Sequence, residues 1–433
     1  MQQRIKNSRQ RLKKSDPFSQ KLFSAFTICC VGVCIMALFS ACNSITSAQA
    51  NGKTVITEMD YWTSGAQDAA LTGLIQQYEK LHPNILIERN SVPYPALMPK
   101  AVQEAASHTL PDLIALDNPT VASFAATGVL QPLDSFVHQQ YQNSDFYSGP
   151  LSTMQYNGKI YGFPLGNNDL GIFYNKKMFA DAHLNPPKTW SELTQDAKIL
   201  TKGNTYGFVF SADADEEGTW QYEPFLWENG GDLNDVSSPQ AVSALQFLTN
   251  MVQNGSASHG VLNWTQVDVE TQFQEGHAAM MENGPWNIPL LEQAHIDYGV
   301  VPLPVPSANV KPATPLGGEE LCVSTTHPQT QQATLAFLRW LTQPQQMVVF
   351  DKASGYIPPI KSTAQTFLQD QPQMQVFAGE FNSARSRTAS LGTKYPAISQ
   401  TIQSAEQSAL AGVQSPQEAL TIAREHIASV MNG

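Results

Sequence analysis

From Val55 onward the chain alternates two apolar patterns, and that alternation restricts the folds open to it. Residues 55–62 alternate as a first strand does, and Leu71, Leu74, Ile75, Tyr78 and Leu81 then recur at helical spacing until Pro83 stops the run. Residues 85–88 read as a second strand, a helix follows around 96–108, and 111–117 read as a third strand. The later chain repeats the theme. Thr189 to Glu192 form a capping box that opens a helix to about Leu200, and 206–210 read as a strand. Pro239 starts a helix whose Val242, Leu245, Leu248 and Val252 share a face, with Gly255 past its end. A helix at 266–275 precedes strands at 278–282 and, beyond a proline-rich crossing at 302–315, at 319–323. Strands alternating with helices predict an α/β chain of two lobes, each a mostly parallel sheet flanked by helices.

Ahead of this body stands a segment that fold reasoning sets aside. Arg4, Lys6, Arg9, Arg11, Lys13, Lys14 and Lys21 precede an apolar stretch from Leu22 to Ala41, and then comes Cys42. A basic region followed by an apolar one is an export signal. About 20 apolar residues also suffice to span a bilayer, so an uncleaved anchor stays open beside cleavage. Phe39-Ser40-Ala41-Cys42 resembles a bacterial lipobox, which implies a signal peptide over 1–41, acylation at Cys42 and a flexible tether over 42–53. Phe39 departs from the aliphatic residue usual there. Either reading places the body outside the cytoplasm.

Charge and cysteine usage narrow the partners. Seven of the 25 Lys and Arg and one of the 37 Asp and Glu lie in the leader, leaving 18 bases against 36 acids. Such a balance argues against nucleic acid, which requires a basic footprint. Beyond Cys42 only Cys322 remains, inside an apolar run, so the fold is held by its core and not by disulfides. No nucleophile elbow, phosphate loop, dinucleotide fingerprint or metal-ligand spacing of the nine histidines occurs, so neither a cofactor nor a metal is expected. Asp213, Asp215, Glu216 and Glu217 could supply a glycosidase pair, but before Trp220 they read as a solvated helix start.

What the body offers instead is tryptophan beside strand ends. Trp62 ends the first strand, Trp286 follows the strand at 278–282, and Trp220 and Trp227 share one helix face. Ligands of open α/β sheets bind beyond the carboxyl ends of strands. Sugars suit such places, since their C–H faces stack on rings while their hydroxyls require hydrogen-bond partners. Trp190 and Trp340 read as core.

Six stretches carry a family resemblance. They are Tyr161-Gly162-Phe163-Pro164 with Ile172-Phe173-Tyr174-Asn175, Pro187-Lys188-Thr189-Trp190, Gly276-His277-Ala278-Ala279-Met280 with Asn283-Gly284-Pro285-Trp286, Leu316-Gly317-Gly318-Glu319, Ala336-Phe337-Leu338-Arg339-Trp340 and Gly355-Tyr356-Ile357-Pro358. In this order they resemble the extracellular solute-binding proteins of carbohydrate ABC importers, the maltose-binding and glycerol-3-phosphate-binding proteins among them. The resemblance implies a periplasmic-binding-protein fold with hinge crossings. Its lobes would be 54–164 with 311–360, and 165–310 with 361–433. It also implies a ligand site of Trp62, Tyr94, Asp117, Asn118, Asn168, Gly284, Trp286, Gly317 and Gly318, with Trp286 as the stacking platform. The implied partners are a sugar and the permease subunits of an importer, with a lipid-anchored monomer doing the capture. Two alternatives stay open: glycerol 3-phosphate or a phosphodiester on the same scaffold, and a secreted glycoside hydrolase. The resemblance also sets Arg385 and Arg387 where phosphate-binding relatives would place a cation, although both read as ordinary surface arginines.

Overall fold

The computed structural model describes residues 49–50, 52–381, 383–388 and 391–432; the export signal and Cys42 lie outside them. Residues 49–432 belong to one compact unit with two larger sheets and a two-stranded ribbon of Gln155–Tyr156 and Lys159–Ile160. The first sheet is built from a short strand at Gln49–Ala50, β1 (Lys53–Asp60), β2 (Ile85–Ser91), β3 (Leu113–Asp117), β4 (Gly162–Pro164) and a late strand, Glu319–Val323. β1 runs parallel to β2 on one side and to β3 on the other. The late strand lies antiparallel between β3 and β4, in a register that sets Glu319 opposite Asp117.

Both faces of this sheet are covered, and the period-two pattern of its strands divides them. Ile56, Leu113, Ala115, Leu321 and Val323 pack on one side with Leu71, Leu74, Ile75 and Tyr78 of α1 (Gly65–Leu81). Met59, Ile114, Leu116 and Cys322 pack on the other with Leu97 and Ala101 of α2 (Tyr94–Ser107) and Val121 and Phe124 of α3 (Asn118–Ala126). All five residues of β3 are buried as a result. Cys322 is the small buried hydrophobe its apolar setting predicts.

The second sheet takes β5 (Gly171–Asn175) as its centre, flanked antiparallel by Met280–Asn283, here β6, and Tyr298–Val301, here β7; the late strand of the first sheet is β8. The segment 206–210, expected as a strand, joins only through isolated parallel bridges, Tyr206 to Ala278 and Val209 to Met281. Ile172 and Met280 face one core while Phe173 and Met281 face another. Around this sheet lie α4 (Trp190–Leu200), opened by the reciprocal Thr189–Glu192 capping box, and α5 (Glu216–Glu228). With them are α6 (Pro239–Gln253), α7 (Gln266–Gln274) and, near the end of the chain, α8 (Tyr395–Leu410). Where the chain passes between the sheets, Asn168 bridges to Gly317 and Asn167 to Ile357. Among the described residues no helix is long and apolar enough to cross a membrane.

Candidate ligand-binding cleft

A cavity of about 360 Å³ opens between the ends of the first-sheet strands and the start of α5, within the range typical of small-molecule sites. Its first wall is phenolic and indolic. Tyr61 and Trp62 follow β1, and the Tyr61 ring sits 5.2 Å from that of Trp62 and 5.1 Å from that of Tyr94. The turn carrying Trp62 is fixed from beneath. Asp60 accepts the Trp62 backbone N–H at 2.8 Å, while Arg89 pairs with Asp60 and donates to the Trp62 carbonyl at 2.7 Å. The Trp62 ring lies edge-on to Phe350, 4.7 Å between centroids. Tyr61 donates to Glu319 Oε1 at 2.5 Å and lies 3.0 Å from the Tyr356 hydroxyl.

The opposite wall is indole and carboxyl. Trp220 of α5 and Trp286 stack at 5.5 Å with 23° between planes. Trp286 reaches this position because Gly284, two residues earlier, leaves room for its ring: a Cβ there would overlap it. A Cβ at Gly317 would likewise overlap the Trp220 ring and Asn168 Oδ1. Gly318, at φ +117°, adopts a backbone conformation that side chains disfavour and brings its peptide against Gly166 and Asn167.

Between the walls sits Arg387, the one Lys or Arg among the described residues lining the cavity. It is 4% exposed, so its reading as a surface arginine is corrected. Its guanidinium donates to Asp117 Oδ1 at 2.6 Å and to Glu216 Oε1 at 2.7 Å, and its carbon stands 5.4 Å from the Trp220 ring centroid. Arg385 does lie nearer the surface, paired with Asp232 at 2.5 Å and set over Trp227. The acids at 213–217 are corrected too. Asp215 caps α5, but Glu216 and Glu217 turn into the cavity wall, where Glu216 also accepts from Ser399 Oγ at 2.6 Å and Tyr395 at 2.7 Å. Glu217 accepts the Gln266 N–H at 2.7 Å. Burial, with the Asp215 charge behind it, pushes Glu217 up to about 8; burial and the Asp117 charge push Glu319 up to about 7.

Of the residues expected at the site, Trp62, Tyr94, Asp117, Asn168, Trp286, Gly317 and Gly318 line this one cavity. Asn118 and Gly284 stand behind its wall. The Asn118 amide donates to the Leu316 carbonyl at 3.0 Å and its Oδ1 accepts from Arg387, so it braces the crossing. Asp117 was expected to meet ligand hydroxyls, yet Arg387 holds both its oxygens and Tyr94 donates to Oδ2 at 3.3 Å. Asn168 Oδ1 and Trp220 Nε1, by contrast, are buried with no hydrogen-bond partner among the described residues. Trp220, offered among the tryptophans, lines it too, whereas Tyr61, Glu216, Glu217, Glu319, Tyr356 and Arg387 line the cavity without having been expected there. For two of them a signal existed, since Glu216 and Glu217 precede Trp220 by four and three residues on one helix face.

Two lobes of α/β structure enclosing a cavity of rings and hydrogen-bonding groups define a solute-binding protein. Residues 73–376 match the family described as bacterial extracellular solute-binding protein, and the chain belongs to it. It is 24% identical over 344 residues to a putative binding protein of Brucella abortus, covering 77% of this chain and 80% of that one. It is 27% identical over 260 residues to a maltotriose-binding protein of Pyrococcus abyssi, covering 57% of this chain and 54% of that one. Among solved structures, an ABC transporter solute-binding protein of Thermotoga lettingae bound to α-D-tagatose superposes with a TM-score of 0.79 at 27% identity, covering 87% and 99% of the two chains. The maltose-bound MalE3 of T. maritima gives 0.79 at 25%, covering 86% and 98%.

Proposed function

We propose that this chain captures a sugar or oligosaccharide outside the cytoplasm and delivers it to the permease of an ABC importer. The observation that carries this reading is the pairing of the Trp220–Trp286 stack with the Tyr61–Trp62–Tyr94 cluster across one cavity. Flat rings on opposing walls suit the C–H faces of a pyranose, and Asn168 Oδ1 and Trp220 Nε1 await polar partners of the kind hydroxyls supply. The relatives that bind maltotriose and α-D-tagatose support the class of ligand.

Binding residues in this reading are Trp62, Tyr94, Asn168, Trp286, Gly317 and Gly318 at the ligand, with Asp117, Asn118 and Gly284 shaping the wall. Lobes of 54–164 with 311–360 and of 165–310 with 361–433 close about the crossings when solute binds, so the loaded form alone presents the docking surface. Their support is that strands of the two sheets fall in different lobes. A lipid on Cys42 keeps the monomer at the membrane, and capture proceeds without bond making. The phosphodiester reading draws no support from Arg387, whose charge Asp117 and Glu216 already offset.

Thermal-shift screening followed by calorimetry tests the proposal, because a ligand that binds the folded state alone raises its apparent stability. Trp286→Ala is expected to weaken the identified sugar by about tenfold or more, the worth of an aromatic contact near 1.4 kcal/mol. Unchanged affinity in a folded variant would remove Trp286 from the site.

A further inference from the structure

The carboxyls of the cleft outnumber its cation, and their placement says what kind of ligand restores the balance. Asp117, Glu216, Glu217 and Glu319 line the cavity with Arg387. Arg387 is committed to Asp117 and Glu216. Two carboxyls remain without a basic partner, one on each wall. Glu319 is 6% exposed and lies in register directly opposite Asp117; Arg387 answers the Asp117 charge but forms no ion pair with Glu319 among the described residues. Its Oε1 takes the Tyr61 hydroxyl, while Oε2 is buried with no donor in hydrogen-bonding geometry among the described residues. Glu217 closes the other side with a single backbone donor.

The rings beside these acids matter equally. The Tyr61 hydroxyl binds Glu319 and lies 3.0 Å from that of Tyr356, the Trp62 and Tyr94 rings stand beside Tyr61, and aromatic faces next to carboxylates attract an ammonium through the ring quadrupole as well as through charge. A neutral sugar fills the same space and meets the same rings, but it leaves Glu319 Oε2 without a cationic partner.

Resting on the sugar reading above, we propose that the ligand is a saccharide carrying a protonated amine, an amino sugar or aminocyclitol unit, with its ammonium donated to Glu319 Oε2 within reach of the Tyr61 and Tyr356 rings. Burial holds Glu319 and Glu217 at about 7 and about 8, so both carry protons in part at neutral pH, and each releases its proton to water when an ammonium takes its place. A phosphorylated ligand finds the reverse: no uncommitted cation among the described lining residues, and two carboxyls in its way.

The test is calorimetry at pH 7 with saccharides in matched sets, each differing at one carbon as free amine, hydroxyl or N-acetyl amine; glucosamine, glucose and N-acetylglucosamine form the simplest set, and galactosamine, galactose and N-acetylgalactosamine a second. At least one free-amine member is expected to bind about tenfold or more tightly than both its counterparts. Glu319→Gln should collapse that ratio toward one, and Glu217→Gln should reduce it by less, with thermal unfolding confirming that each variant folds. A hydroxyl sugar that binds as tightly as its amine counterpart overturns this inference and leaves the sugar reading standing. If no saccharide of any kind binds, both readings fall. A preference that survives in folded Glu319→Gln overturns the assignment of the ammonium to that carboxyl.

Discussion

Two groups of buried carboxyls, handled in opposite ways, sit within one chain. In the cleft, Asp117 and Glu216 share the Arg387 guanidinium, and hydroxyls of Tyr94, Tyr395 and Ser399 complete their shells. Burial still raises the Glu216 carboxyl, with the Arg387 charge and the two hydroxyls drawing it back. Around the second sheet, Glu282 of β6 and Glu406 of α8 are fully buried, and neither offers an oxygen that finds a partner among the described residues. Burial raises both well above the usual carboxylate range, and the Glu228 and Glu406 charges add to the rise at Glu282. Glu228 itself is pushed up to about 9. The cleft therefore sets a cation on two of its acids, Asp117 and Glu216, whereas the interior leaves its acids protonated. A buried acid that stays ionised requires a counter-charge; one without such a partner, in the core or at Glu217 and Glu319, rises toward neutrality.

Removing the cation breaks this distinction most sharply. Arg387→Met leaves Asp117 and Glu216 buried without their partner, and stability at pH 7 is expected to fall by about 3–5 kcal/mol. Denaturant unfolding measures it, and the loss should shrink at pH 5, where Glu216 can take up a proton. A variant as stable as the parent at pH 7 would mean that the cleft acids are already neutral like those inside.

The interior group predicts a pH slope of definite sign. For a carboxyl raised on folding, the native state binds more protons than the unfolded chain between the two pKa values, so stability falls as pH rises through that window. Glu228 at about 9, with Glu380 and Glu320 at about 8, sets the window from about pH 4.5 to 9, and the unfolding temperature should decline across it. Glu282→Gln should flatten the decline by up to about 1.4 kcal/mol per pH unit. Glu192, whose carboxyl is lowered by its capping hydrogen bonds, pulls the other way, at the acid end alone. A flat profile from pH 5 to 8 would show these carboxyls to be hydrated.

How far this could be read from sequence depends on whether a residue's partner lies nearby in the chain. Periodicity located β1, α1 and α6 because their buried faces repeat within the element, and a capping box located α4. It overstated 206–210, whose apolar run is buried but pairs only at isolated bridges. Trp62 and Trp286 were legible from their place at strand ends. Arg387 was not, since it sits in an irregular stretch with no period and meets Asp117 across 270 residues of sequence. Glu216 shows the limit most clearly: an acid run at a helix start reads as solvated until the helix is known to point into a cleft. Charge alone carried no sign of which acids would be paired.

The smallest test asks how much of the cleft arrangement rests on neutral donors and how much on Arg387. Ser399 Oγ donates to Glu216 Oε2 at 2.6 Å and lies 3.0 Å from Thr219 Oγ1, while the guanidinium holds Oε1. Ser399→Ala removes one hydroxyl and keeps the ion pair, so the expected loss is about 1.5 kcal/mol, the low end for a hydrogen bond to a charged group. Combined with Arg387→Met, the two losses should fall short of their sum, since a Glu216 that has become neutral accepts the hydroxyl less strongly. Strict additivity in denaturant unfolding at pH 7 would mean that Glu216 keeps its charge without the arginine, and the cleft and the interior would then differ by more than a counter-ion.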